Sequence, residues 1–224
     1  MFTTTKVKQL KGYHGPYITQ VNVGDKIDAS INGNGGVAIW VKDGTEVVKE
    51  LTFDLTKKEN IHNQEDAIMF NYKALKLKSD TTGELIVVGI YRFITRLVDT
   101  KTRLQTSKPN FIENMKTIIN HDEIKNYKAI IAGDMNLNTL KDDSRGYHTT
   151  YKNLLKNHGW TENISEVTHV TGNTEGGTCI DHIITNKNFN ESFEEHNFFE
   201  KTKVDPEISD HKVTMAFWSK IDEK

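Results

Sequence analysis

Cysteine is almost missing from this 224-residue chain. The lone Cys179 excludes an internal disulfide framework and is the usage expected in a reducing compartment. Proline is as scarce, with three residues, and no proline- or serine-rich linker interrupts the chain. One domain over residues 1–224 is therefore expected, long enough to bury roughly 70% of its unfolded surface. Apolar runs reach only about five residues, and no cationic segment leads into an apolar one, which argues against a membrane span or a signal peptide. An intracellular protein, cytoplasmic or nuclear and not secreted, is the expectation. An excess of one charge is lacking too: 29 basic residues face 31 acidic ones, so a polyanionic partner would have to be held by a local patch.

Short strands account for most of the patterning that is present. Gly36–Val41, Val47–Phe53, Ala67–Leu77, Leu85–Tyr91, Thr178–Thr185 and Val213–Trp218 are apolar, and several are too rich in β-branched residues to suit helices. Phe111, Met115, Ile118 and Ile119 recur at i, i+4, i+7 and i+8, which marks one buried helix face, with Ser107 as N-cap and Pro109 in the first turn. Tyr147, Tyr151, Leu154 and Leu155 mark a second helix, ended near Gly159. Residues Met1–Asn34 show no sustained period.

The stretch Lys128–Leu140 organises the rest. Ala129, Ile130, Ile131 and Ala132 suit a strand buried on both faces, and the run breaks at Gly133 into a polar turn. Asp134 and Asn136 then sit at the strand's C-terminal end, the edge at which open α/β sheets meet their ligands. An Asx-type turn satisfying local N–H groups accounts for the same two residues. If Tyr91 ends a strand parallel to the one ending at Gly133, the basic run Arg92–Lys108, with five cations against the single Asp99, overhangs Asp134 and Asn136. Two further segments carry chemistry: Asp181-His182 inside an apolar run, where burial demands partners, and Ser209-Asp210-His211 before the final strand.

The order G-D-x-N, I-D-H-I, S-D-H, each beside a predicted strand, resembles the endonuclease/exonuclease/phosphatase superfamily, and within it the endonuclease domains of non-LTR retrotransposons, whose reverse transcriptase they accompany. The resemblance covers residues 35–218 and leaves 1–34 poorly matched. It implies an α/β fold, a two-sheet αββα sandwich of DNase I type, and a phosphodiesterase acting on DNA with Mg²⁺ or Mn²⁺. It assigns roles residue by residue. His211 faces the scissile phosphate and Asp181 orients it. Asp134 positions or deprotonates the attacking water, Asn136 and Tyr91 donate to phosphate oxygens, and Asp210 lies at the metal. The basic run, by its charge and its place at a strand end rather than by the resemblance, offers Arg92, Arg96 and Arg103 to grip the substrate.

The chain departs from the pattern at its start. The family's first two strands, bearing an asparagine and a metal-binding glutamate, have no counterpart before Gly35, so an N-terminally incomplete domain is expected, with a partner chain or upstream segment supplying the strands. Gln64-Glu65 stands in the wrong place in the order to replace the glutamate. Arg92-Phe93-Ile94 replaces Arg-Pro-Pro, and Thr168-His169 replaces Thr-Arg. Three functions follow from these features: a metal-dependent endonuclease, weak or inactive for want of the glutamate; a small-molecule phosphoesterase of the same superfamily; and a non-catalytic protein that binds nucleic acid or phosphate.

Overall fold

The computed structural model describes residues 9–19, 36–55, 70–92, 111–141, 146–170, 177–196, 211 and 217–220. In chain order the strands are β1 (Tyr13–Thr19), β2 (Val37–Lys42), β3 (Glu46–Leu51), β4 (Phe70–Ser79), β5 (Gly83–Arg92), β6 (Lys128–Asp134), β7 (Trp160–Glu162), β8 (Asp181–Asn186), β9 (Phe193–His196) and β10 (Phe217–Lys220). The helices are α1 (residues 111–119), α2 (Asp122–Asn126), α3 (Tyr147–Asn157) and α4 (Lys187–Asn190).

Six strands form one mixed sheet in the order β3-β4-β5-β6-β8-β7. Strands β5 and β6 run parallel, as the apolar runs Leu85–Tyr91 and Ala129–Ala132 suggested, and every other neighbouring pair in that sheet is antiparallel. A parallel pair needs a long crossover, and α1 and α2 lie within it. Side chains alternate across the sheet with period two. Ile86, Val88 and Ile90 of β5, Ala129 and Ile131 of β6, and Ile184 of β8 therefore point to one face. There they bury against Phe111, Met115, Ile118 and Ile119 of α1 and Tyr151 and Leu155 of α3. The helical period read from α1 thus marks the face that covers the sheet.

The opposite face carries a second β layer in two pieces, β1 with β2 and β9 with β10. Tyr17, Ile39 and Val41 pack on Leu75, Leu77 and Val87, and Trp218 packs on Ile130, Ala132 and Ile183. Gly89 permits the close approach of the layers, since a Cβ there would collide with Val37 Cγ1. The expected two-sheet α/β arrangement is what these layers form. Strand β1 was not anticipated: Met1–Asn34 had shown no period, yet Tyr13–Thr19 pairs with β2 across an irregular register between His14 and Tyr17. Strands β7 and β9 and helix α2, each six residues or shorter, also gave no readable pattern. Ser107 and Pro109 lie outside the described residues.

Asn186 ties the sheet to its helices. Its Oδ1 accepts from the Ala129 and Phe189 amides at 3.0 Å each, and its Nδ2 donates to the Ile124 and Tyr127 carbonyls at 3.0 and 2.8 Å. It is buried, and one side chain joins β6, β8, α2 and α4. Replacing it by leucine strands two amides and two carbonyls. The Asn186→Leu chain is expected to lose about 2–4 kcal/mol of stability, measured by denaturant unfolding.

Candidate active site

The register of three adjacent strands builds the site. Tyr91 of β5 lies opposite Asp134 of β6, and Asp134 lies opposite Asp181 of β8. Because the three are in register, their side chains emerge on one face in a single row, the face that carries the second β layer. His211 closes the row: its Nδ1 lies 2.9 Å from Asp181 Oδ2 and 3.2 Å from Oδ1. Ligand atoms of Asp134, Asp181 and His211 all fall within 4.8 Å of one another. The three segments that the sequence singled out thus converge.

Period two also explains what does not join them. His182, next to Asp181, faces the helix side, fully buried. Its Nε2 lies 2.9 Å from the Leu137 carbonyl and its Nδ1 3.3 Å from the Tyr151 hydroxyl. Burial lowers its pKa, so the ring is a neutral structural group.

Arg92, next to Tyr91, likewise turns inward, which corrects its assignment as a substrate-gripping residue. It is 1% exposed, with its guanidinium carbon 5.3 Å from the Phe111 ring centre, and Nη1 donates to the Met135 and Asn136 carbonyls at 3.1 and 2.9 Å. Burial lowers its pKa to about 10, against an opposing pull from Asp134, so it stays cationic at neutral pH. Arg96, Arg103, Asp210 and the Glu65 candidate lie outside the described residues.

The loop after β6 is held from several sides. Gly133 has φ 139°, and a Cβ there would run into the Ile90 carbonyl, so only glycine fits this crossing. Asp134 Oδ1 accepts from the Asn136 amide at 2.8 Å, which is the Asx turn that the sequence allowed. Asn136 adopts φ 47°, a left-handed conformation that asparagine tolerates better than most residues. Its Nδ2 donates to the Arg92 carbonyl at 2.6 Å and lies 3.3 Å from Asp134 Oδ2. Arg92 and Asn136 therefore clamp each other, each side chain on the other's carbonyl. The local turn and the convergent site are one structure.

Thr168 is a positioning residue whose part the sequence reading had not defined. Its hydroxyl oxygen accepts from the Ile180 and Asp181 amides at 3.0 and 3.1 Å, fixing the start of β8 and with it the Asp181 carboxylate. The signal was the threonine of V-T-H-V-T-G, a small hydroxyl at a tight chain crossing. His169 follows it, bridged through its backbone to His211 and to Thr178.

Electrostatics match the geometry. Asp134 is pushed up to about 6, first by burial and then by Asp181, while the Asn136 amide, His211 and His169 oppose the rise. Burial and Asp134 raise the Tyr91 phenol, which keeps it a donor at neutral pH. Two carboxylates so close, with His211 beside them, suit a hard divalent cation, which would offset the burial and the repulsion that hold Asp134 high.

No family model matches this chain, and no curated protein does. Solved structures do. The human nocturnin catalytic domain, solved with a bound sulfate anion, is 15% identical over 94% of this chain and 73% of its own, with a TM-score of 0.57. An AP endonuclease from Archaeoglobus fulgidus is 15% identical over 79% and 72%, with a TM-score of 0.50. The Xenopus laevis APE2 catalytic domain is 14% identical over 84% and 73%, also at 0.50. These neighbours are endonuclease/exonuclease/phosphatase superfamily members, and at such identities they show the fold, the DNase I-like α/β sandwich.

A raised carboxylate pKa has a definite sign. Folding takes up a proton on Asp134, so its contribution to stability is full below its unfolded pKa and is lost as pH rises through about 6. Discounted for partial exposure, that loss is about 1–2 kcal/mol. Asp134→Asn is expected to melt higher than the parent chain at pH 8 without added metal, with the gap closing toward pH 4. Melting curves across that range check it.

Proposed function

We propose that this chain is a divalent-metal-dependent phosphodiester hydrolase of the endonuclease type, acting on DNA. The observation that carries the reading is the row Tyr91–Asp134–Asp181, closed by His211 on Asp181. Each group has a task in phosphoryl chemistry. The Asp181 carboxylate orients the His211 ring and stabilises its charged form beside a phosphate. Tyr91, kept protonated, donates to a phosphate oxygen. Asp134 positions a water and accepts its proton. Asn136, itself clamped by Arg92, holds the Asp134 carboxylate through its amide and its Nδ2. Asp134 and Asp181 would hold a Mg²⁺ or Mn²⁺ ion together with Asp210, and the ion when bound supplies positive charge where the phosphate gathers negative charge.

The retrotransposon-type assignment rests on the sequence motifs, and with it an intracellular, DNA-facing role. No helix among the described residues is long and apolar enough to cross a membrane.

Two experiments test the reading. Purified chain is expected to nick supercoiled plasmid weakly with Mg²⁺, for want of the glutamate, and chelator, His211→Ala and Asp134→Ala each to abolish that nicking. Nicking that survives chelation overturns the assignment. Plasmid binding without chelator-sensitive nicking transfers it to the non-catalytic alternative. Separately, Arg96→Ala with Arg103→Ala is expected to lower the slope of log affinity against log salt by about 0.9 for each phosphate no longer neutralised. An unchanged slope shows that the basic run is only a solvated face.

A further inference from the structure

We propose that Glu162, Cys179 and His182 form a second metal site, one for a zinc-type divalent cation, beside the buried His182 ring. The site stands apart from the phosphodiesterase reading, because none of the three belongs to the row of Tyr91, Asp134, Asp181 and His211. One ligand atom from each residue lies within 4.8 Å of the other two. The sheet brings them together: Glu162 of β7 pairs with Ile184, two residues along β8 from His182 and on the same face. Cys179 and His182 are fully buried, whereas Glu162 is half-buried, so an ion has a way in at its carboxylate.

Electron pairs outnumber protons in this cluster. Glu162 Oε1 is shut off from solvent and has no hydrogen-bond partner among the described residues, a costly state for a carboxylate oxygen. His182 donates through Nε2 to the Leu137 carbonyl at 2.9 Å, which leaves Nδ1 as an electron-pair donor. The Tyr151 hydroxyl lies 3.3 Å from that Nδ1 and 3.1 Å from the Met135 sulfur, and its one proton cannot serve both. Cys179 Sγ lies 3.8 Å from the Ile164 carbonyl, with the Thr139 side chain hydrogen-bonded to it. A neutral imidazole whose other N–H is held by a carbonyl is the usual form of a metal-ligating histidine. Thiolate, imidazole and carboxylate together suit zinc, whereas Mg²⁺ takes oxygen ligands. Coordination takes the sulfur as thiolate, and its proton leaves to the buffer. Three protein donors leave one tetrahedral position, for which the Tyr151 hydroxyl is at hand.

Cobalt(II) reports on such a site, because a cobalt–thiolate bond gives a charge-transfer band in the near ultraviolet and tetrahedral cobalt absorbs in the visible. Cys179 is the chain's single cysteine, so that band cannot arise from the aspartate row. Full-length chain, stripped with chelator under reducing conditions and then given excess Mg²⁺, is expected to show the band on titration with Co²⁺. The band should saturate at one ion per chain and disappear when Zn²⁺ is added. Zn²⁺ is expected to raise the melting temperature of the parent by about 5 °C or more. Cys179→Ala is expected to abolish both the band and the melting shift, and Glu162→Gln to weaken cobalt affinity about tenfold or more. A parent chain without the thiolate band overturns the proposal, and so does a Glu162→Gln chain that binds cobalt with parental affinity. If Cys179→Ala melts below the metal-free parent, the parent band and the Glu162→Gln affinity decide by the same criteria. Plasmid nicking plays no part in the readout, so a chain that binds cobalt in this way without nicking supports the site while the phosphodiesterase reading falls.

Discussion

Everything at this site depends on one ladder of hydrogen bonds, the register of β6 between its two neighbours. Parallel pairing to β5 sets Asp134 beside Tyr91, and antiparallel pairing to β8 sets it beside Asp181. A slip of one residue in either pairing would send a carboxylate into the helix-side core and bring Arg92 or His182 to the cleft. The apolar residues on both faces of these strands oppose such a slip, because Ile86, Val88, Ile131 and Ile184 would leave their core together. Packing far from the chemistry therefore fixes which side chains meet.

The loop that follows carries strain and charge that the core compensates. A non-glycine residue at positive φ and a half-buried carboxylate meet there a buried guanidinium that reaches in from β5. Each would be costly alone. Together they satisfy one another: Arg92 takes the loop carbonyls, Asn136 takes the Arg92 carbonyl, and Asp134 takes the Asn136 amide. What stays uncompensated is the burial of Asp134's charge, with repulsion from Asp181 added to it. That is a stability cost which a cation or a bound proton reduces, and it is concentrated where proton transfer is useful.

Relations between side chains separate what was legible from what was not. Strand β6 and the helix face of α1 were readable because burial writes a local period into the chain, two for a strand and 3.6 for a helix. Strand β1 was not, since a bulge between His14 and Tyr17 breaks its alternation and Gly15 and Pro16 dilute it. Strand β7, with three residues, is too short to show a period at all. Arg92 misled for a physical reason. Composition counts a cation in a basic run, while its orientation depends on the parity of its position along β5, which Tyr91 shares in the opposite sense.

The sequence by itself determined the chemistry that is available: the aspartates at strand ends, the glycine at the crossing, the S-D-H and I-D-H segments, and a sheet with helices against it. Those are local properties, set by residue type and by period. Only the tertiary structure decided that Arg92 turns inward to serve the loop, that His182 packs against Tyr151, and that the Thr168 hydroxyl fixes the start of β8. These outcomes depend on which strands neighbour one another and in what register, and pairing between segments roughly 30 to 50 residues apart is a long-range property that no local pattern encodes.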